Sequence, residues 1–171
     1  DETFIEGIGG RPAAEWGGEL QKFLAAHEAA PYAALGLLPR DEVLLRLVSL
    51  PGLTDEDAAA AVRLQVDALH PWGEDEEIVH DAQRLGSTST WAVALARKER
   101  IDYYADQFTE AGVKLAGLSF TASAVYHASR VFDAGPEGPR LVVERLFAAP
   151  GDVVEVYGES EAKPLFSAQF D

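Results

Sequence analysis

The sequence contains no cysteine, which excludes disulfide scaffolds, zinc–thiolate sites and thiol nucleophiles. It contains no methionine either and starts at Asp1, so it is expected to be a piece of a longer protein or a trimmed form of one. Basic residues are scarce: 14 lysines and arginines stand against 29 acidic residues, a formal net charge of −15. Such a surface repels phosphate backbones and anionic headgroups, so neither nucleic acid nor a lipid surface is an expected partner. A basic protein partner is compatible with it. No apolar run approaches the ~18–20 residues of a membrane span, and no signal peptide pattern precedes the first expected helix.

Catalytic and metal motifs are missing as well. His27, His70, His80 and His127 form neither an HExxH pattern nor a pair four residues apart, so no metal site is expected. The acidic runs 55–57 and 74–77 lack the glycine and spaced ligands of a calcium loop and read as a helix start and a solvated turn. Gly7-Ile8-Gly9-Gly10 has no strand before it and no Lys-Ser or Lys-Thr after it, so it reads as a lead-in rather than a phosphate loop. Ser87, Ser89, Ser119, Ser123 and Ser129 sit in no GxSxG or SxxK context. No catalytic, cofactor-binding or metal-binding residue is expected.

What is present is architecture. A hydrophobic content of 47% with 25% charged residues over 171 positions suits a globular chain with one core or two small ones. An apolar helical stripe, Trp16, Leu20, Phe23, Leu24 and His27, marks a helix over 15–27. The following Leu35-Gly36-Leu37-Leu38 reads as extended and partly buried. A buried strand over 43–48 exits at Pro51, and Thr54 caps a helix that runs to His70-Pro71. A short strand at 77–82 follows, then a turn at Gly86-Ser87-Thr88-Ser89. Over 90–97, Trp91, Val93 and Leu95 alternate with alanines, the cleanest strand pattern in the chain. Its alanine face invites close helix packing. A helix over 100–111 stops at Gly112, a strand covers 113–120, and a helix capped by Thr121 reaches Phe132. The stretch 133–139, rich in glycine and proline, is the best boundary. Three β segments beyond it, 140–146, 153–157 and 165–170, form a meander. Arg46 stands out as a charge inside an apolar strand. It needs a partner or an exit to water, and the acid-rich helix that follows is the nearest place to look for one.

The order β-α-β-β-α-β over 43–120 is ferredoxin-like in principle, but the residues filling it resemble something narrower. The run from Leu38-Pro39-Arg40-Asp41-Glu42 through Val43-Leu44-Leu45-Arg46-Leu47-Val48-Ser49-Leu50-Pro51 resembles the strand with a terminal Leu-Pro of PilM, the actin-like type IV pilus assembly protein. It is also similar to the cytoplasmic part of GspL from type II secretion. The acidic-capped helix ending at His70-Pro71, the alternating strand ending in Arg97 and the helix ending Ala111-Gly112 extend the resemblance over 38–132.

The resemblance implies an α+β fold: a β-α-β-β-α-β subdomain, similar to the extra subdomain of FtsA, flanked by partial actin-like (ribonuclease H-like) elements and a C-terminal β meander. The implied division is 1–37, a lead-in and helix from a preceding actin-like subdomain; 38–133, the subdomain plus a helix; and 140–171, opening a second actin-like half. The turn over 146–152 lacks an Asp-x-Gly phosphate loop, and Pro150 removes a backbone donor. No cofactor is therefore expected in this chain, ATP with magnesium being left to an intact parent.

The implied function is a non-catalytic assembly platform, cytoplasmic and peripheral to the inner membrane. It would bind the cytoplasmic peptide of a single-span membrane partner or the machine's motor ATPase. Trp16, Phe23, Trp72 and Tyr103 are the candidate contact residues, each of which is also a natural core residue. Two alternatives stand beside it: an actin-like ATPase whose phosphate loops lie outside the chain, and a free-standing ferredoxin-like ligand-binding domain.

Overall fold

The computed structural model describes residues 3–29, 33–85, 88–132, 141–145, 154–158 and 166–170. Helix α1 (Ala13–Ala26) is followed by strand β1 (Ala34–Leu38), strand β2 (Leu44–Ser49) and helix α2 (Asp55–Leu69). Strands β3 (Ile78–Arg84) and β4 (Thr90–Arg97), helix α3 (Lys98–Glu110), strand β5 (Leu115–Phe120) and helix α4 (Thr121–Phe132) come next. Strands β6 (Leu141–Arg145), β7 (Val154–Gly158) and β8 (Phe166–Phe170) form the expected antiparallel meander. The boundary at 133–139, the hairpin residues Gly86 and Ser87, and the turn over 146–152 lie outside the described residues.

The centre of the chain is a three-stranded antiparallel sheet in the order β2-β4-β3, with α2 on one face. The local reasons are legible at both ends of that helix. Thr54 Oγ1 accepts from the Asp57 amide at 3.2 Å and donates to the Asp57 carboxylate at 2.8 Å, while Asp55, Glu56 and Asp57 suit the positive end of the helix dipole. Ala58, Val62 and Val66 recur every four residues and are buried against Trp91, Val93 and Leu95 of β4. At the far end Arg46 Nε donates to the Leu69 carbonyl at 3.0 Å. The partner of Arg46 thus lies on the acid-rich helix that follows, as expected, but it is a backbone carbonyl at the helix's far end rather than one of its carboxylates. The arginine serves that end, where carbonyls left without helical partners attract a cation.

The acidic start takes Arg84 instead. Its Nε and Nη2 reach Asp55 at 2.9 and 2.7 Å, and Nη2 also donates to the Leu53 carbonyl at 3.0 Å. The guanidinium lies 4.8 Å from the Trp91 ring centroid. Two arginines from the two edge strands thus hold α2 by its two ends.

Strand β5 does not join this sheet. It pairs in parallel with β1, with Leu38 beside Phe120, so the ferredoxin-like order of elements does not close into a four-stranded sheet among the described residues. The connection read as extended is the competing strand. Gly36 lets the second sheet close: a Cβ there would lie 2.6 Å from the Leu118 side chain and 3.2 Å from that of Phe108. Behind the pair, α1 packs on α3, with Ala13, Trp16, Ala111 and Val113 buried together. Helix α3 ends as expected at Gly112, whose φ of 69° belongs to the left-handed region glycine tolerates. Helix α4 touches β1 and β5 and also β6 and β7. No helix among the described residues is long and apolar enough to cross a membrane.

Candidate functional site

Residues directly opposite one another in an antiparallel sheet share a face. The face of the central sheet turned away from α2 therefore carries two rows: Leu47, Ala92 and Gln83, then Leu45, Ala94 and Asp81. Ala96 and Val79 form a third. The middle strand contributes a methyl group in each row, so the face has a low floor between taller side chains.

One end of that floor is closed. Ala96 is buried there with Leu38 and Val43, and the partly buried Ile101, Tyr104, Leu118, Phe120 and Ala94 pack around them. Arg100 fastens this end from outside, its Nη2 lying 2.6 Å and its Nε 2.9 Å from Glu42 Oε1. The Tyr104 hydroxyl is pushed above its ordinary range, chiefly by burial and against the opposing hydrogen bond from Arg100. The alanine face thus receives α3 as expected, but only over part of its length.

The rest remains a groove of about 640 Å³. The sheet forms its floor, and Leu118, Ser119 and Phe120 of β5 with Ser123 and His127 of α4 form its opposite wall. Val79, on the rim, is 41% exposed. Asp81 is the only acidic side chain among the described residues lining it. The Asp81 carboxylate accepts from the Ala82 amide at 2.9 Å. The neighbouring Arg84 points its guanidinium to the other side of the sheet, at Asp55.

Chemically the groove offers an apolar bed with polar groups along one side. Residues two apart in an extended chain are ~6.6–6.8 Å apart, as are Ala92, Ala94 and Ala96 along β4. An extended peptide laid on the floor could therefore place alternate side chains over Ala92 and Ala94, Ala96 being buried at the closed end. No group of three or more histidine, aspartate or glutamate side chains that could hold a metal ion occurs among the described residues.

The four aromatic candidates do not converge there. Trp16 is 5% exposed and packs edge-on against Phe108 at 6.3 Å. Phe23 is half-buried beside His27. Trp72 stacks on His70 at 5.4 Å and packs against the α2 core. Tyr103 is 43% exposed, with the Arg100 guanidinium 4.9 Å from its ring. Sequence reasoning missed the groove's own residues, although the alanine alternation on β4 was visible. Ser123 and His127, one helical turn apart, gave a second signal.

No family model matches the chain, and no curated protein matches it. Among solved structures it is similar to the PilM–PilN type IV pilus biogenesis complex, with a TM-score of 0.72 and 20% identity. The match covers 98% of this chain and 50% of that one. The chain therefore spans about half the length of its structural neighbour, and it shares a mixed α/β, PilM-like fold with it.

Proposed function

Taking that fold as the premise, we propose that the chain belongs to an assembly-platform protein of a type IV pilus or type II secretion machine. Its work is to bind the cytoplasmic peptide of a membrane partner resembling PilN, at the inner face of the membrane. The motor ATPase of the machine is the other candidate partner. In this reading 38–133 is an inserted subdomain, 1–37 closes a preceding actin-like unit and 140–171 opens a second one. The observation that carries the proposal is the groove, an alanine floor on the central sheet facing a wall from β5 and α4, in a fold shared with a solved structure described as the PilM–PilN type IV pilus biogenesis complex. Tyr103 is the one candidate aromatic exposed enough to offer a second contact away from it.

The test is fluorescence anisotropy with a synthetic peptide copying the cytoplasmic segment of the PilN-like protein from the same cell. Ala92→Phe raises the floor and Gln83→Trp fills the rim. Each is expected to weaken binding about tenfold, some 1.4 kcal/mol, while leaving the thermal midpoint unchanged. Undiminished binding by both well-folded variants would remove the groove from the reading. In the same reading ATP with magnesium gives the whole protein no thermal stabilisation. A rise in midpoint with nucleotide concentration would favour an actin-like ATPase, because a ligand that binds only the folded state stabilises it.

A further inference from the structure

We propose that Asp81 selects the charge of what the groove accepts: an extended apolar segment of the partner that carries a lysine or arginine in register with Asp81. This rests on the reading of the groove as a peptide site and adds its chemistry. In the middle row the floor runs from Leu45 through Ala94 to Asp81, so a side chain seated over Ala94 has an apolar neighbour on one side and a carboxylate on the other. Among the described residues no cation pairs with that carboxylate. Arg84, the nearest in sequence, is committed on the far face to Asp55, the Leu53 carbonyl and the Trp91 ring. A carboxylate on an apolar rim is poorly placed for an acidic or purely apolar ligand and well placed for a cationic one. The net charge of −15 draws the same class of segment toward the surface before it docks.

The experiment selects random linear peptides displayed on phage against the immobilised chain and sequences what is retained. Wild type, Asp81→Asn, Asp81→Lys and Ala92→Phe are compared, with Asp75→Asn, in the acidic turn and away from the groove, as a control for total charge. Wild type is expected to retain alternating apolar peptides with a lysine or arginine at one fixed spacing. Asp81→Asn should lower that preference about two- to fivefold, the range of an exposed ion pair. Asp81→Lys should invert it toward aspartate and glutamate, and Asp75→Asn should leave it intact.

An apolar pattern with no charge preference on wild type would overturn the role of Asp81 and leave the groove reading standing. An equal loss with Asp75→Asn would assign the preference to total charge and overturn it too. Retention of the same peptides by Ala92→Phe, or of no peptides by any form, would sink the groove reading itself.

Discussion

Alanine at position 17 is expected to cost the fold about 1–2 kcal/mol, although alanine is the better helix former. The added Cβ would stand 2.5 Å from the Ala111 Cα, 2.5 Å from its carbonyl oxygen and 2.7 Å from its Cβ. The first two are backbone atoms just past the end of α3 and the third is fixed to them, so none can swing aside and α1 has to back away. That opens the cluster of Ala13, Trp16, Ala111 and Val113. Overpacking of this kind costs about 1–3 kcal/mol, whereas replacing glycine inside a helix gains at most ~1 kcal/mol. The clash wins. Gly18, the next residue, has nothing within 4 Å of its Cβ position, so Gly18→Ala should gain up to ~1 kcal/mol. Urea denaturation of the two variants is therefore expected to move the midpoint in opposite directions. Equal shifts would mean that α1 does not lie on α3 as described.

The largest loss is expected from Leu95→Ala. Leu95 is fully buried in the middle strand, at the centre of the packing between that strand and Ala58, Val62 and Val66 of α2. Truncating such a side chain removes its transfer free energy and leaves a cavity, about 2–5 kcal/mol in all. A domain with a total stability of ~5–15 kcal/mol feels that strongly. Val79→Ala removes a comparable apolar group from the open face, where the residue is 41% exposed, and should cost under ~1 kcal/mol. Denaturant melts of the pair separate core from groove. A Leu95→Ala cost as small as that of Val79→Ala would place the core elsewhere.

Much of this architecture was legible because its signals are local. Thr54, the acidic first turn and the spacing of Ala58, Val62 and Val66 announce α2, and the alternation from Trp91 to Ala96 announces β4. The sequence pattern predicts an end to β3 at Ala82, but the strand continues to Arg84. Its inward positions include His80 and Arg84, and a hydrophobic pattern cannot reveal an arginine that faces inward to reach a helix end. The same truncation hid Gln83 from the reading and left Asp81 looking like a strand end. The partner of β5 was not legible at all. The pairing of Leu118 with Gly36 joins residues far apart in sequence, and no periodicity within either strand encodes it. Trp16, Phe23, Trp72 and Tyr103 are aromatic positions expected to be left uncovered when the crossover helices pack, but the area that would make such a ring a contact also drives its burial. Three of them are wholly or partly covered for that reason.

The parallel pairing of β1 with β5 has a consequence for how the chain folds. Everything from Pro39 to Lys114 is an excursion between two strands that end side by side. Its own contacts, β2 with β4 and β3 with β4, span shorter stretches of chain. Closing the β1–β5 pair across an unstructured excursion carries the full entropy of a long loop, which grows with the logarithm of its length. Once the excursion has condensed, the separation of its ends is already fixed, and less of that entropy is left to lose. The topology therefore favours a sequence of events in which the contacts within the excursion form first. The strand pair that supplies the opposite wall of the groove then zips up behind them.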